Sequence, residues 1–186
     1  GLCFNHNGDP WKIESFLHVK PGKGPAFVRT KIRNLNTGRL LENTFTAGVK
    51  IDVIRVENRK YQYLYCEGND YHLMNLDDYE QILMQKDFIE NVSFLKEGEI
   101  VEVLFHADKG VPLSAQVPSH VILEISHTEP GIKGNTATNA TKSATTETGA
   151  NIQVPLFINE GDKIKIDTAK GNYIERVKWK NITTAQ

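Results

Sequence analysis

The feature that most constrains this fold is a succession of short apolar runs, many of them alternating, with turn signals between them. Seven runs of five to ten residues are rich in β-branched or aromatic side chains: AFVRTKIRNL, GVKIDVIRV, YQYLY, EIVEVLF, HVILEIS, NIQVPLFI and DKIKID. Alternation with a period of two predicts half-buried strands, and many short strands bounded by turns are typical of small barrels and sandwiches. The sequence therefore predicts an all-β protein.

Two segments depart from this pattern. Residues 75–95, NLDDYEQILMQKDFIENVSFL, predict the one helix, because Asn75 or Asp77 could cap it and apolar residues follow at helical spacing. Residues 133–149, KGNTATNATKSATTETG, contain almost no large apolar side chain. Since that composition cannot anchor a core, it predicts a long exposed loop.

A weak internal repeat links two parts of the chain. FLKEGEIVEVLFHADKG, residues 94–110, resembles LFINEGDKIKIDTAKGN, residues 156–172. Each has an apolar pair before a Glu-Gly turn, then an alternating strand and a Lys-Gly turn, which predicts two copies of one small barrel. With boundaries placed near 57–60 and 117–119, we expect three domains, residues 1–58, 59–118 and 119–186.

The chain has one stiff loop, in HVKPGKGPAF. Lys23 lies between two glycines, and Pro21 and Pro25 lie on either side of those glycines. Proline fixes φ, and glycine permits the positive φ of a tight tip. Lys20 and Lys23 repel each other on this short loop, so neither is expected to be buried. The loop is either an ordinary solvated turn or a cation presented to a narrow anionic space.

Positive charge is concentrated around this loop, although the formal net charge of the chain is only −1. Residues 1–57 contain nine Lys or Arg and five Asp or Glu, whereas the remainder contains 13 and 18. On the strand after the loop, Arg29, Lys31 and Arg33 alternate, so they are predicted on one face. A basic first third and a cationic strand face suit a phosphate backbone.

Motifs for catalysis or metal binding are absent from the sequence. The six histidines show no H-x-x-x-H spacing, and PGKGP is not a phosphate-binding loop because Pro25 follows its second glycine. Cys3 and Cys66 are expected to be free thiols. We therefore expect no enzyme, metal site or cofactor. No apolar run approaches the roughly 18 residues of a membrane helix and no signal peptide is evident, so a cytoplasmic protein without a membrane partner is expected.

The Lys23 loop lies in the first of four blocks that closely resemble the bacterial elongation factor P family. The blocks are HVKPGKGPAFVRTKIRNLNTGRLLENTF, YQYLYCEGNDYHLMN, TEPGIKGNTATNATKSATTETGANIQVPLFINEGDKIKIDT and GNYIERVK. The third is the most specific, because it matches the family signature around Lys142, Gly149, Val154-Pro155 and Gly161. The resemblance implies three β domains in an L shape similar to tRNA: an SH3-like domain followed by two OB-folds.

The resemblance also implies a function. Members of the family bind the 70S ribosome between the P and E sites when peptidyl transfer stalls, chiefly at consecutive prolines, and stabilise the P-site peptidyl-tRNA. By position, Lys23 is the loop-tip residue that reaches the CCA end of that tRNA and that many members modify covalently. The palindromic loop looks like the subgroup in which the lysine works unmodified. The supporting loop residues are Lys20, Pro21, Gly22, Gly24 and Pro25.

Two further sites carry over from the family. Gly134, Asn135 and Thr136 match a Gly-Asp-Thr loop that meets the E-site codon region, with Asn in place of Asp. The replacement removes a carboxylate but keeps a hydrogen-bonding side chain. Near the end of the chain, Tyr173 and Arg176 match residues that face the small subunit and the tRNA.

The expected partners are therefore the 70S ribosome, P-site peptidyl-tRNA and mRNA at the E site, bound by a monomer. The alternative from another class is an OB-fold protein that binds single-stranded nucleic acid. It would need aromatic platforms in a basic groove, and the acidic balance of residues 58–186 opposes it. Filter binding to free oligonucleotides would separate the two functions.

Overall fold

The computed structural model describes residues 1–130 and 140–177. These residues form sixteen β-strands and two short 3-10 helices, Lys86–Phe88 and Val92–Phe94, so the predicted all-β class is confirmed. The strands are β1 (Cys3–His6), β2 (Asp9–Val19), β3 (Phe27–Asn34), β4 (Leu40–Thr46), β5 (Asp52–Val53), β6 (Val56–Glu67), β7 (Asp70–Asn75), β8 (Gln81–Gln85), β9 (Ile89–Glu90), β10 (Ile100–His106), β11 (Val111–Gln116), β12 (His120–Thr128), β13 (Thr141–Thr146), β14 (Asn151–Pro155), β15 (Lys163–Asp167) and β16 (Asn172–Arg176).

The strands form three sheets. Their orders are β4-β3-β2-β1-β5, β8-β7-β6-β10-β11-β9 and β14-β13-β12-β15-β16. The hairpins β2–β3, β6–β7 and β15–β16 are antiparallel, and β9 joins β11 in parallel. Short hairpins between neighbouring strands account for most of this topology, which agrees with the turn signals in the sequence.

The chain divides into two compact units. The first comprises Gly1–Glu90 and Val101–Gln116, and the second comprises Asn91–Ile100 and the chain from Val117 onward. In the first unit, one core cluster contains Phe4, Trp11 and Ile32, and another contains Cys3, Leu35, Ile54 and Leu113. In the second unit, alternate residues of β12 and β15 supply the core, all less than 4% exposed: Val121, Leu123, Ile125, Ile164 and Ile166.

The helix predicted over residues 75–95 is wrong. Asn75 does not cap a helix; its side-chain oxygen accepts a hydrogen bond from the backbone N–H of Asp77 at 2.9 Å and closes a turn. Tyr79 then adopts a left-handed φ of 62°, which interrupts any helix. Beyond it, β8 pairs with β7 and buries Met84. Pairing and burial in the sheet therefore override the local helical spacing.

The exposed loop predicted over residues 133–149 is wrong for its second half. Residues 141–146 form β13, which pairs with both β12 and β14. Ala144 and Thr146 are only 2% and 1% exposed. Thr146 is satisfied inside the sheet, because its hydroxyl oxygen accepts a hydrogen bond from the N–H of Ala150 at 3.1 Å. Small side chains can thus serve as core residues, although their hydropathy signal is weak.

The predicted internal repeat has matching backbone geometry. Gly98 and Gly161, which precede β10 and β15, have φ values of 83° and 82°. After each strand, a second glycine has a φ of 65° and donates a 2.8 Å hydrogen bond back to the strand's last residue, Gly110 to His106 and Gly171 to Asp167. The similar sequences therefore form similar strand-and-turn units.

Candidate functional site

The Lys23 loop connects β2 to β3, whose pairing ends with Val19 opposite Phe27. The side chains of residues 20–25 are exposed. Within the described part of the chain, the ammonium group of Lys23 makes no hydrogen bond and no ion pair. A Cβ atom added to Gly22 or Gly24 would meet no atom of residues 1–130 or 140–177 within 4 Å. The loop therefore projects from the sheet into solvent and carries its cation at the tip.

The conformation of the tip is determined by the loop itself. At the base, the carbonyl of Ala26 accepts a hydrogen bond from the N–H of Ala47 at 3.0 Å, which attaches the loop to the end of β4. At the tip, Gly24 has a φ of 105°, a value that residues with side chains rarely adopt. Pro25 follows immediately and fixes its own φ near −65°. Gly24 thus permits the turn that places Lys23 at the tip, and Pro25 limits the conformations open to the chain after it.

A cationic face lies on β3, next to this loop. Arg29, Lys31 and Arg33 project to one side of the strand, whereas the intervening Thr30 and Ile32 are 4% and 0% exposed and belong to the core side. Because successive residues of a strand point to opposite faces, the predicted common face of the three cations is confirmed.

The three cations differ in their partners. Arg33 is partly neutralised, since its Nε lies 2.8 Å from the Oε1 of Glu14. Lys31 lies across from Glu42 on β4. Among the residues that the structure describes, however, neither Lys31 nor Arg29 forms an ion pair. Both line a shallow depression of about 160 Å³ together with Glu42, so this depression presents two cations and one carboxylate.

Tyr173 and Arg176 both lie on β16, and a β-bulge brings them to the same side of it. Three residues apart on a regular strand, they would point to opposite faces. The register shift opposite Lys165 and Ile166 leaves one extra residue, so Tyr173 pairs with Ile166 and Arg176 with Ile164. A β-bulge commonly re-aims a side chain in this way. The sequence does not reveal this shared side.

Arg176 is held by two neighbours that sequence reasoning missed. Its Nη1 lies 3.5 Å from the Oδ2 of Asp162, and its guanidinium lies 5.6 Å from the ring centroid of Phe157. Phe157 is itself 57% exposed. Arg176 is therefore oriented at the surface by an ion pair and a cation–π contact.

Gly134, Asn135 and Thr136 lie outside the described residues. Two contacts lie beside this segment: one joins β13 to the residue after β12, and the other joins the end of β12 to the turn before β15. The ammonium of Lys142 donates to the carbonyl of Glu129 at 2.7 Å. Glu160 accepts a hydrogen bond from the backbone N–H of Thr128, which lowers the pKa of its carboxyl, and the His127 ring adds to this effect from 2.8 Å.

Other chemistry has little support in residues 1–130 and 140–177. No group of three or more His, Cys, Asp or Glu side chains there could hold a metal ion, and no helix there is long and apolar enough to cross a membrane. Cys3 and Cys66 are free thiols, as predicted. Burial raises the pKa of the Cys3 thiol.

One aromatic contact also escaped sequence reasoning. The ring of Tyr65 stacks on that of His72, with centroids 4.3 Å apart and planes 17° from parallel. The alternating tyrosines of YQYLY were visible in the sequence, but alternation alone assigns Tyr61, Tyr63 and Tyr65 to one buried face. The actual position of Tyr65 depends on a change of register that cannot be predicted from the residue types in the strand.

Comparison with known proteins gives a consistent result along the chain. Three family descriptions match: "Elongation factor P (EF-P) KOW-like domain" over residues 1–51, "Elongation factor P (EF-P) OB domain" over 56–115 and "Elongation factor P, C-terminal" over 121–176. Among solved structures, "Eukaryotic translation initiation factor 5A from Methanococcus jannaschii" matches at 24% identity and a TM-score of 0.46, covering 63% of this chain and 84% of that chain.

Two relatives are similar over almost their whole length. "Elongation factor P" of Flavobacterium psychrophilum is 61% identical over 178 residues, which cover 96% of this chain and 95% of that protein. "Elongation factor P" of Flavobacterium johnsoniae is 60% identical, with the same coverage. The chain therefore belongs to the elongation factor P family, whose members are translation elongation factors.

Proposed function

We propose that the protein binds the 70S ribosome between the P and E sites and stabilises peptidyl-tRNA when synthesis stalls at consecutive prolines. The observation that carries this proposal is the Lys23 loop. A single lysine, which has no partner among the residues that the structure describes, stands at the tip of a loop restricted by its prolines, in a chain of this family. Such a loop can enter a narrow anionic space, and in this proposal that space lies beside the CCA end of the P-site tRNA.

The contribution of the protein to peptide-bond formation is positional. Proline is a rigid, poor nucleophile, so a loosely held peptidyl-tRNA rarely reaches the reactive geometry. Holding the CCA end in place lowers the entropic cost of that geometry. The bond-forming chemistry remains that of the ribosome, and the protein is not an enzyme in this proposal.

The remaining surfaces hold the protein in place. Arg29 and Lys31, which form no ion pair within the described part of the chain, bind tRNA phosphates. The family resemblance assigns the small subunit and tRNA to Tyr173 and Arg176, and the E-site codon to residues 134–136. The protein acts in the cytoplasm as a monomer of three domains, residues 1–58, 59–118 and 119–186.

We further propose that Lys23 works unmodified. Pro21 and Pro25 flank the tip symmetrically, and a loop that is already restricted loses less entropy on binding. By analogy with X→Pro substitutions, this effect amounts to about 0.4–1 kcal/mol. It offsets contacts that an added group would make with the tRNA end.

Sedimentation with purified ribosomes tests the proposal. The protein should co-migrate with 70S ribosomes that carry P-site tRNA and a vacant E site, and should be displaced when deacylated tRNA fills the E site. Co-migration that is insensitive to E-site occupancy would contradict the proposed binding position. An absence of co-migration at physiological salt would contradict ribosome binding itself.

A further inference from the structure

The two-residue turn between β1 and β2 is Asn7-Gly8, the only Asn-Gly step in the sequence. Both residues have a positive φ, 53° for Asn7 and 88° for Gly8, and the strands pair up to the turn, where His6 lies opposite Asp9. Two successive positive φ values are typical of the tight hairpin turn that Asn-Gly favours. The proposed function makes no use of this turn.

Few contacts hold this turn. Both residues are exposed, and apart from its chain neighbours a Cβ atom added to Gly8 would meet no atom of residues 1–130 or 140–177 within 4 Å. Within the same residues, the backbone N–H of Gly8 donates no hydrogen bond. The side-chain nitrogen of Asn7 makes a long contact of 3.4 Å with Nε2 of His6. Little therefore opposes a rotation that brings the side chain of Asn7 onto the backbone nitrogen of Gly8.

We propose that Asn7 is a site of spontaneous deamidation, a covalent modification whose only co-reactant is water. The backbone nitrogen of Gly8 attacks Cγ of Asn7 and forms a C–N bond, while the bond from Cγ to the side-chain nitrogen breaks and ammonia leaves with the proton that Gly8 loses. Glycine favours this step because it has no Cβ to obstruct the ring closure. One water molecule then opens the resulting succinimide at either carbonyl. One opening gives aspartate, and the other gives isoaspartate, whose main chain runs through the former side chain.

A second hairpin turn supplies an internal comparison. Asn69 lies in the two-residue turn Gly68-Asn69 between β6 and β7. The nitrogen that would attack its side chain belongs to Asp70, which has a side chain of its own and is already part of β7. The carbonyl of Asn69 also accepts a 2.8 Å hydrogen bond from the N–H of Lys86, which ties this turn to the chain after β8. The same chemistry is therefore disfavoured at Asn69.

The isoaspartate product affects the core of the first unit. The length of a hairpin turn sets the register of its strands, and isoaspartate adds one carbon atom to the main chain of this turn. Next to the turn, the indole of Trp11 donates a 3.1 Å hydrogen bond to the carbonyl of His6, and Trp11 packs with Phe4 and Ile32. We therefore expect the isoaspartate form to melt at a lower temperature than the parent, whereas the aspartate form, whose main chain is unchanged, melts close to it.

Ageing the purified full chain in mildly alkaline buffer, made with water that contains heavy oxygen, tests this inference. Peptide mass spectrometry should show the peptide with Asn7 gaining one labelled oxygen in place of its amide nitrogen, as a mixture of aspartate and isoaspartate, while the peptide with Asn69 in the same sample stays unchanged.

The matched control is Asn7→Gly, which suits the positive φ of the turn and cannot form the ring. It should give no isoaspartate at this turn and should keep its melting temperature on ageing, whereas the parent loses thermal stability. An unchanged Asn7, conversion of Asn69 at the same rate, or aspartate formed at Asn7 without isoaspartate would overturn the inference.

Discussion

Replacing Gly24 with Ala should separate loop conformation from loop chemistry, because no charge and no contact is lost. Nothing in the described part of the chain lies within 4 Å of the new Cβ, so the cost expected there is that of the backbone conformation. Holding a residue with a side chain at a φ of 105° costs on the order of 1–3 kcal/mol. Since no tertiary contact from the described residues holds the tip of the loop, we expect the loop to relax and the free energy of unfolding to change by less than about 1 kcal/mol.

The free-energy cost of the left-handed conformation should appear in ribosome binding instead. If the bound loop needs the conformation seen here, about 1–3 kcal/mol corresponds to a loss of affinity of roughly 5- to 150-fold. Gly22→Ala is the matched control, because its surroundings are equally open but its φ is not in the left-handed region. Dissociation constants for 70S ribosomes with P-site tRNA would be measured for both variants. Equal affinities for Gly22→Ala and Gly24→Ala would refute the role assigned to the loop conformation.

Three further outcomes are expected. Arg29→Glu and Lys31→Glu should weaken ribosome binding and reduce the slope of log affinity against log salt by about 1 each. The change should be smaller for Arg33→Glu, because Glu14 already pairs with Arg33. Identical slopes for the parent and all three variants would indicate that the tRNA does not contact this face. Pro25→Ala should lower the rescue of consecutive-proline synthesis. Intact-mass spectrometry of the native protein should show Lys23 without an added group, and a modified Lys23 at high occupancy would contradict the proposal. Burial alone would raise the pKa of Glu147, but the N–H of Glu124 and the ammonium of Lys96 outweigh burial and lower that pKa. The ionised Glu147 therefore stabilises the second unit above the ordinary Glu pKa of about 4.3, and this contribution decreases as the pH falls below that value. Thermal melts of Glu147→Gln should show a weaker acid dependence than those of the parent.

The parts of the fold that could be predicted from sequence are those that depend on alternation and turns. Thr30 and Ile32 are buried between Arg29, Lys31 and Arg33, so their pattern alone assigns the cations to one face. The repeat was also visible, because a Glu-Gly turn and a Lys-Gly turn are encoded by the residues that adopt them. Local signals of this kind survive because no distant contact opposes them.

Features that depend on register could not be predicted. Met84 lies in β8 because β7 is available to pair with it, although its own segment has helical spacing. Ala144 is a core residue only because β12 and β14 enclose β13. The bulges that turn Tyr65 outward and bring Tyr173 and Arg176 to one side change the pairing by a single residue. A one-residue change of this kind depends on the partner strand and leaves no signal in the amino-acid composition of the strand that contains it.

The most direct test of the central claim is the rate of proline–proline bond formation in a reconstituted translation system. Peptidyl-tRNA ending in proline occupies the P site, prolyl-tRNA is supplied, and the rate is measured at saturating protein. The parent protein and Lys109→Ala, which changes an exposed lysine in a turn of the second sheet, should accelerate the reaction equally. Lys23→Ala should keep its melting temperature and still bind ribosomes, yet give little or no acceleration. A Lys23→Ala variant that accelerates the reaction as well as the parent would contradict the assignment of Lys23 as the residue that positions the tRNA.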